Sequence, residues 1–153
     1  MPADLTARYE SDGARLRSVA CAPPQQQAGI PEMRIFTRVL DSTYGKSAVG
    51  VHARLARACD NGWTTVADAE TDHDGRIAEW DSRHLERGLY RIVFDSDGYF
   101  SRRGMATAYP EVVVIFRTQT GVHFFQVQVT LAPYSFSTYF GTMNIRLGKK
   151  NAG

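Results

Sequence analysis

The sequence predicts an all-β fold, an eight-stranded β-sandwich with one short helix. Short runs of alternating polar and apolar side chains recur along the chain between turn-forming residues, as is typical of sandwiches. With 43% hydrophobic and 22% charged residues, the composition is that of an ordinary globular protein. A length of 153 residues fits one compact domain.

The N-terminal part of the chain differs in composition from the rest. Residues 1–32 contain Pro23, Pro24 and three successive glutamines, and they show little apolar periodicity. We therefore expect residues 1–32 to form a flexible leader and ordered structure to begin near Arg34.

The first half of the domain contains five predicted strands. From Arg34 to Asp41 two sets of side chains alternate, which indicates a strand with two different faces. Asp60, Asn61 and Gly62 form a strong reversal signal, because Asn and Gly tolerate positive φ. The predicted strands of this half are 34–41, 51–57, 63–69, 76–78 and 89–95.

The second half is predicted to contain one helix and three more strands. The helix is expected within residues 96–104, and the strands at 110–118, 122–132 and 135–142. Because residues 112–116 are apolar throughout, we expect that strand to be buried on both faces, or to meet another subunit with its second face.

Charge and cysteine content exclude several classes of protein. A formal net charge of +2 is too small for a dedicated nucleic-acid binder. Cys21 and Cys59 lack CxxC spacing, so neither a zinc site nor a disulfide framework is indicated, and a reducing compartment is expected. The four histidines show no metal-ligand spacing, and we expect neither a metal nor a cofactor.

A membrane location is not indicated either. No run approaches 18 apolar residues, and the first 20 residues are interrupted by charged side chains, unlike a signal peptide. The sequence therefore predicts a cytoplasmic protein with no membrane partner.

Four segments of the chain resemble the transthyretin family, whose enzymatic branch is 5-hydroxyisourate hydrolase. These segments, 37–41, 74–77, 109–112 and 131–142, occur in the family's order, and the resemblance spans roughly residues 34–142. The resemblance implies an eight-stranded sandwich that assembles as a homotetramer, a dimer of dimers. It also implies a small-molecule ligand, bound in a channel between subunits.

The chain departs from the hydrolases at the positions that the resemblance marks as functional. Arg38 replaces the first active-site histidine, and Gln126 replaces the second. In the terminal tetrapeptide Tyr-Arg-Gly-Ser, Phe140 replaces the arginine and Thr142 the serine. Arg76 keeps its type.

Other features resemble the thyroid-hormone-binding branch. That branch has a lysine at the position of Arg38, lacks the second histidine, and has Pro-Tyr-Ser-Tyr-Ser-Thr where this chain has 133–138. Both that branch and this chain continue beyond the signature, here as a C-terminal extension of residues 143–153 after a domain of 33–142. The resemblance therefore points toward both branches.

The substitutions change the chemistry that is expected at the site. A histidine can take a proton from water near neutral pH, whereas arginine stays protonated and glutamine does not titrate. The expected loss is the roughly 10²- to 10⁴-fold that general-base catalysis supplies. Two fixed positive charges, together with amide and hydroxyl groups, suit an anionic ligand.

Strand alternation groups the candidate site residues on shared faces. We expect Arg38 and Arg76 to act as electrostatic clamps, Gln126 to orient the substrate, and Tyr139 to serve as an acid or base. The expected substrate-binding residues are Phe36, Leu40, Gln128, Thr130, Ser137, Phe140 and Thr142.

Three functions remain open at this point. The first is an enzyme that cyclises, isomerises or opens a small cyclic substrate by arginine electrostatics. The second is a non-catalytic small-molecule binder, and the third is a true 5-hydroxyisourate hydrolase of purine catabolism.

Overall fold

A computed structural model describes residues 32–80 and 85–143. Nearly all of the predicted leader, residues 81–84 and nearly all of the predicted C-terminal extension lie outside these ranges. The boundaries of the leader and the extension therefore stay predictions.

The described residues form nine strands and one short helix in two sheets, which confirms the all-β sandwich. In chain order the elements are β1 (Arg34–Asp41), β2 (Lys46–Ser47), β3 (His52–Cys59), β4 (Gly62–Glu70), β5 (Arg76–Ile77), β6 (Leu89–Phe94), α1 (Ser96–Ser101), β7 (Val112–Arg117), β8 (Phe124–Ala132) and β9 (Ser135–Met143).

Each sheet has two central strands, β1 and β8 in sheet A and β3 and β6 in sheet B. Sheet A has the order β2-β1-β8-β9, with β5 also paired to β1, and sheet B has the order β4-β3-β6-β7. The pairing of β1 with β8 is parallel, and the other pairings are antiparallel. Because β1 and β8 are far apart in sequence, their pairing brings the two ends of the domain together.

The core lies between the two sheets and is built by the inward half of each alternating strand. Val39, Leu55, Ile92 and Phe125 have no solvent exposure. An inward Leu, Ile or Phe side chain stabilises the fold by about 1.5–3 kcal/mol through its burial. The outward residues of the same strands are therefore free to serve binding.

The local differences from the sequence prediction concern short elements. The two-residue strand β2 forms where only a turn was expected, because Lys46 and Ser47 pair with the end of β1. The helix ends at Ser101, earlier than expected.

Strand β7 is not buried on both faces, which was the first of the two expectations for it. Val113 and Ile115 are 44% and 38% exposed, whereas Val112, Val114 and Phe116 are buried. Burial on both faces is therefore wrong for the described chain, and contact with another subunit stays a prediction.

Cys59 is disulfide-bonded, contrary to the expectation from cysteine spacing. Spacing along the chain carries no signal here, because disulfide formation depends on the approach of two Cβ atoms in the folded structure.

The structure was also searched for helices that could cross a membrane. Within the described ranges no helix has the length and apolar character needed to cross a bilayer.

Candidate functional site

The candidate site lies on the outer face of sheet A, the side turned away from the core. The neighbours Thr37, Val39, Val127 and Val129 are fully buried and point inward. Successive strand residues point to opposite sides, so the side chains between them point outward. The outward side chains of β1 and β8 are half-buried, except for exposed Arg34.

The central feature of this face is a row of four residues that crosses four strands. Arg76 of β5 lies opposite Arg38 of β1, Arg38 lies opposite Gln128 of β8, and Gln128 lies opposite Tyr139 of β9. Neighbouring strands lie about 4.8 Å apart, so the row places these side chains next to one another. Tyr139 is 61% exposed at the end of the row.

Two further rows flank the central one. Phe36 lies opposite Gln126, and Gln126 lies opposite Gly141. On the other side Leu40 lies opposite Thr130, and Thr130 lies opposite Ser137. The structure therefore gathers most of the predicted site residues on one face: Arg38, Arg76, Gln126, Tyr139, Phe36, Leu40, Gln128, Thr130 and Ser137.

Phe140 and Thr142 are not brought to this face, which corrects their grouping with the substrate-binding residues. The Phe140 ring packs towards the core, with its centroid 5.6 Å from that of Phe116 and 6.0 Å from that of Phe125. Thr142 lies opposite the buried Phe125 and shares its side of the sheet. The physical reason is strand alternation, since both positions have the opposite parity to Tyr139.

Two residues on the outer face were missed as site residues. Phe124 stacks on Phe36 with ring centroids 6.1 Å apart and an interplanar angle of 26°. Ser47 of β2 lies opposite Leu40. The parity of Phe124 along β8 could have identified it, whereas Ser47 depends on a pairing that the sequence does not reveal.

Arg38 and Arg76 place two positive charges on this face. Among the described residues, neither Arg38 nor Arg76 takes part in an ion pair. The Nε atom of Arg38 is buried and has no hydrogen-bond acceptor within the same ranges. A ligand that supplies anionic oxygens would satisfy these donors.

A tight turn holds Arg76 in place. The Asp72 carboxylate accepts hydrogen bonds from the backbone N–H groups of Arg76 and Asp74, both at 2.9 Å. The bond from Arg76 is the main reason that the pKa of Asp72 lies below its ordinary value. Gly75 has a φ of 72°, which favours glycine.

The described part of this face carries no histidine. His52 pairs with Asp68 on sheet B at 3.3 Å, and His73 pairs with Asp74 in the turn before β5 at 3.2 Å. His123 precedes β8, and His84 lies outside the described residues. Asp72, His73 and Asp74 could hold a metal by geometry, but all three are exposed in the turn.

The arrangement suits a planar anion. Guanidinium groups bind anionic oxygens through paired N–H donors, and the amides of Gln126 and Gln128 can donate or accept. Phe36 and Phe124 supply an aromatic surface beside the charges. The face can therefore hold a ring and stabilise negative charge that develops on it.

Comparison with known proteins identifies relatives of the chain. The model of the HIUase/Transthyretin family matches residues 35–141. A 5-hydroxyisourate hydrolase of Salmonella typhi is 34% identical over 128 residues, covering 83% of this chain and 93% of the relative. The same-named protein of Salmonella dublin is 37% identical over 109 residues, covering 71% and 80%.

Solved structures show the same fold. Transthyretin from Sparus aurata superimposes with a TM-score of 0.68 at 24% identity, covering 72% of this chain and 97% of that one. Sea bream transthyretin in complex with thyroxine gives a TM-score of 0.67 at 23% identity, covering 76% and 99%. With its family match and its hydrolase relatives, the chain belongs to the HIUase/Transthyretin family.

Proposed function

We propose that this protein binds a small cyclic anionic or enolisable substrate at the outer face of sheet A and opens, closes or isomerises its ring. The observation that carries the proposal is the row formed by Arg76, Arg38, Gln128 and Tyr139, in which the arginines have no ion pair within the described residues. Fixed positive charge beside a reacting ring lowers the energy of an enolate or oxyanion.

The relatives favour hydrolysis of 5-hydroxyisourate as the reaction to test first. Their names give that activity, and the match covers most of the chain. In this reaction Arg38 and Arg76 would stabilise the oxyanion that forms when water attacks the ring. Gln126 would orient the substrate, and Tyr139 would relay the proton that the water loses, on forming the new C–O bond, to the ring nitrogen released as the C–N bond breaks.

Ring closure or isomerisation is the second candidate reaction. It is favoured by the replacement of both imidazoles, since an enolate held by arginines needs no strong base at that position. Binding without turnover is the remaining alternative, and the aromatic pair of Phe36 and Phe124 supports it, because such a surface holds a planar ligand without chemistry.

We also propose that the working unit is a homotetramer in which the outer faces of sheet A from different copies enclose the ligand. Membership of the family supports this assembly. The cytoplasmic location stays a prediction, and the disulfide at Cys59 counts against it, because disulfides are rare in that compartment.

The function is tested by turnover with matched variants. Freshly generated 5-hydroxyisourate and a panel of small enolisable rings are mixed with the wild type, Arg38→Ala and Arg76→Ala, and the absorbance decay is compared with buffer. We expect each variant to lose about 10²- to 10³-fold in kcat/KM, the scale of one oxyanion-stabilising donor. Arg117→Ala, an exposed arginine at the end of β7, is the control and should keep full activity.

The same experiment separates the alternatives. Turnover retained in both site variants would rule out arginine electrostatics. Binding without any product in the wild type would favour the carrier function instead.

A further inference from the structure

We infer that Arg38 and Arg76 form one binding unit for a ligand that carries two negative charges. The inference deepens the proposed function, on whose site it rests, by naming the substrate class. For the second candidate reaction, ring closure or isomerisation, it selects a planar ring with two anionic oxygens, such as a carboxylate and an enolate, or two enolates.

The first step is the geometry of the β1–β5 pair. The backbone N–H of Val39 donates to the carbonyl of Gly75 at 2.7 Å, which puts these two opposite residues at a hydrogen-bonded position of the ladder, although the N–H of Gly75 donates to Asp72 instead. Hydrogen-bonded and non-hydrogen-bonded pairs alternate along antiparallel strands. Arg38 and Arg76, the next pair, are therefore of the non-hydrogen-bonded type, in which opposite Cα atoms lie about 4.5 Å apart and side chains come closest.

The second step is the cost of this arrangement without a ligand. Like charges directly opposite on neighbouring strands are destabilising. The Asp72 carboxylate, in the turn before β5, accepts hydrogen bonds from backbone N–H groups, and the positive charge of Arg76 also helps to lower its pKa. Asp72 therefore offsets part of the Arg76 charge, but neither arginine has an ion-pair partner within the described residues.

The third step identifies the kind of ligand that compensates the positive charges of both arginines. A guanidinium presents a planar fork of N–H donors that matches two oxygens of an anion. A monoanion compensates one arginine and leaves the other charge in place, whereas a dianion with oxygens on two sides of a ring compensates both. We expect a dianion to bind at least about tenfold more tightly than a monoanion of the same shape.

The probe that tests this step is squarate, a planar four-membered ring that is a dianion at neutral pH. Its monomethyl ester keeps the ring and carries one charge. Binding of both to the full chain is measured by calorimetry and by thermal shift at constant ionic strength. The variants are Arg38→Gln and Arg76→Gln, with Arg117→Gln as a matched control on the other sheet.

We expect the wild type and Arg117→Gln to prefer squarate over its ester by about tenfold or more. Each site variant should lose this preference and bind the two probes equally. Without ligand, Arg76→Gln should melt at a higher temperature than the wild type, because the like-charge contact is relieved. Because Arg76 is exposed, Arg76→Gln should fold normally, so it tests the loss of preference for squarate even if Arg38→Gln folds poorly.

Equal affinity of the wild type for squarate and its ester would overturn the inference, and so would an equal loss of preference in Arg117→Gln. These outcomes are separable from failure of the proposed function. If the wild type prefers squarate but turns over no ring, the dianion site stands and the proposed catalysis is wrong. If it turns over a ring but shows no preference for squarate, catalysis stands and the dianion site is wrong.

Discussion

At the residue scale, the outer face of sheet A combines charge with an absence of imidazole among the described residues. Arginine and glutamine neither accept nor release a proton near neutral pH. We therefore expect kcat/KM to change by less than about threefold between pH 6 and 8. Gln126→His should add a rise with pH around the ordinary histidine pKa of about 6.5, because only the neutral imidazole is a base. A bell-shaped wild-type profile would contradict this prediction.

Asp41 is the buried acid at the end of β1, next to the site. Its Oδ2 accepts the Tyr99 hydroxyl at 2.7 Å, and its Oδ1 accepts the backbone N–H groups of Thr43 at 2.8 Å and Tyr44 at 3.3 Å. Asp41→Ala leaves these donors unpaired, so we expect it to lower the free energy of unfolding by about 2–4 kcal/mol. Tyr99→Phe removes one bond and should cost about 1–2 kcal/mol. Urea denaturation measures both, and equal losses would contradict the network.

Tyr90 makes the stability depend on pH in the alkaline range. Burial raises the pKa of Tyr90 to about 12, and its hydroxyl donates to the backbone carbonyl of Glu86. In the unfolded chain a tyrosine has a pKa of about 10. The stabilising contribution is therefore complete below pH 10 and is lost as the pH rises from about 10 to 12, because the unfolded state ionises first.

The Tyr90→Phe variant isolates this effect. It cannot ionise, so its unfolding free energy should fall less than that of the wild type between pH 9 and 12. The difference between the two is at most about 3 kcal/mol for a shift of about two pKa units. Urea denaturation at several pH values measures it, and parallel curves for the two proteins would contradict the assignment.

At the scale of elements, the turn before β5 places Arg76 opposite Arg38. A Cβ at Gly75 would lie 2.4 Å from the carbonyl oxygen of Val39, in addition to the strain of a positive φ. We expect Gly75→Ala to push β5 away from β1, to lower the unfolding free energy by about 1–3 kcal/mol and to weaken squarate binding.

Gly45→Ala is the matched control for this turn. Gly45 has a similar φ of +65°, but nothing lies within 4 Å of an added Cβ. It should show the backbone strain alone and leave squarate binding unchanged. Equal effects of the two substitutions on binding would show that the turn does not position Arg76.

The strands themselves could be predicted well from the sequence, because alternation is a local signal. Strand β1 has the predicted bounds, and the Asp60–Asn61 turn joins β3 to β4 as expected. The pairing of Lys46 with Asp41 could not be predicted, since a two-residue strand has no periodicity. The sequence could not decide between the two expectations for β7, because apolar side chains fill both of its faces, although only one of them meets the core.

The site could be predicted only in part. Parity grouped Arg38 with Leu40 and Gln126 with Gln128, but parity alone cannot show which strands are neighbours. The placement of Arg38 opposite both Arg76 and Gln128 depends on the parallel pairing of β1 with β8 and on the turn before β5. Phe140 was misplaced for a different reason. Its parity along β9 indicates the core side of the sheet, but it was assigned to the site because of its position in the family's terminal tetrapeptide.

At the scale of the whole molecule, one edge strand of each described sheet carries large exposed apolar side chains. Strand β9 ends sheet A and strand β7 ends sheet B. Large apolar side chains are exposed on both strands, among them Phe136 and Met143 on β9 and Ile115 on β7. Exposed edges of this kind promote pairing with another chain. The shape of the described sandwich therefore favours self-association.

The last prediction follows from these edges. We expect light scattering after size exclusion to give the mass of four copies of the chain. Phe136→Lys places charge on β9, on the side of the strand away from the candidate site, and should yield smaller species with an unchanged far-ultraviolet spectrum, because charged side chains oppose edge pairing. Val49→Lys, which changes an exposed apolar residue outside the strands, is the control and should stay tetrameric.

Squarate binding by the β9 variant tests whether assembly completes the site. If outer faces from different copies enclose the ligand, the β9 variant should lose both its higher mass and its affinity for squarate, although it retains Arg38 and Arg76. A wild type that is monomeric at tens of micromolar and still binds squarate tightly would contradict the shared site. Binding would then belong to a single sheet face, and the arginine pair alone would be sufficient for it.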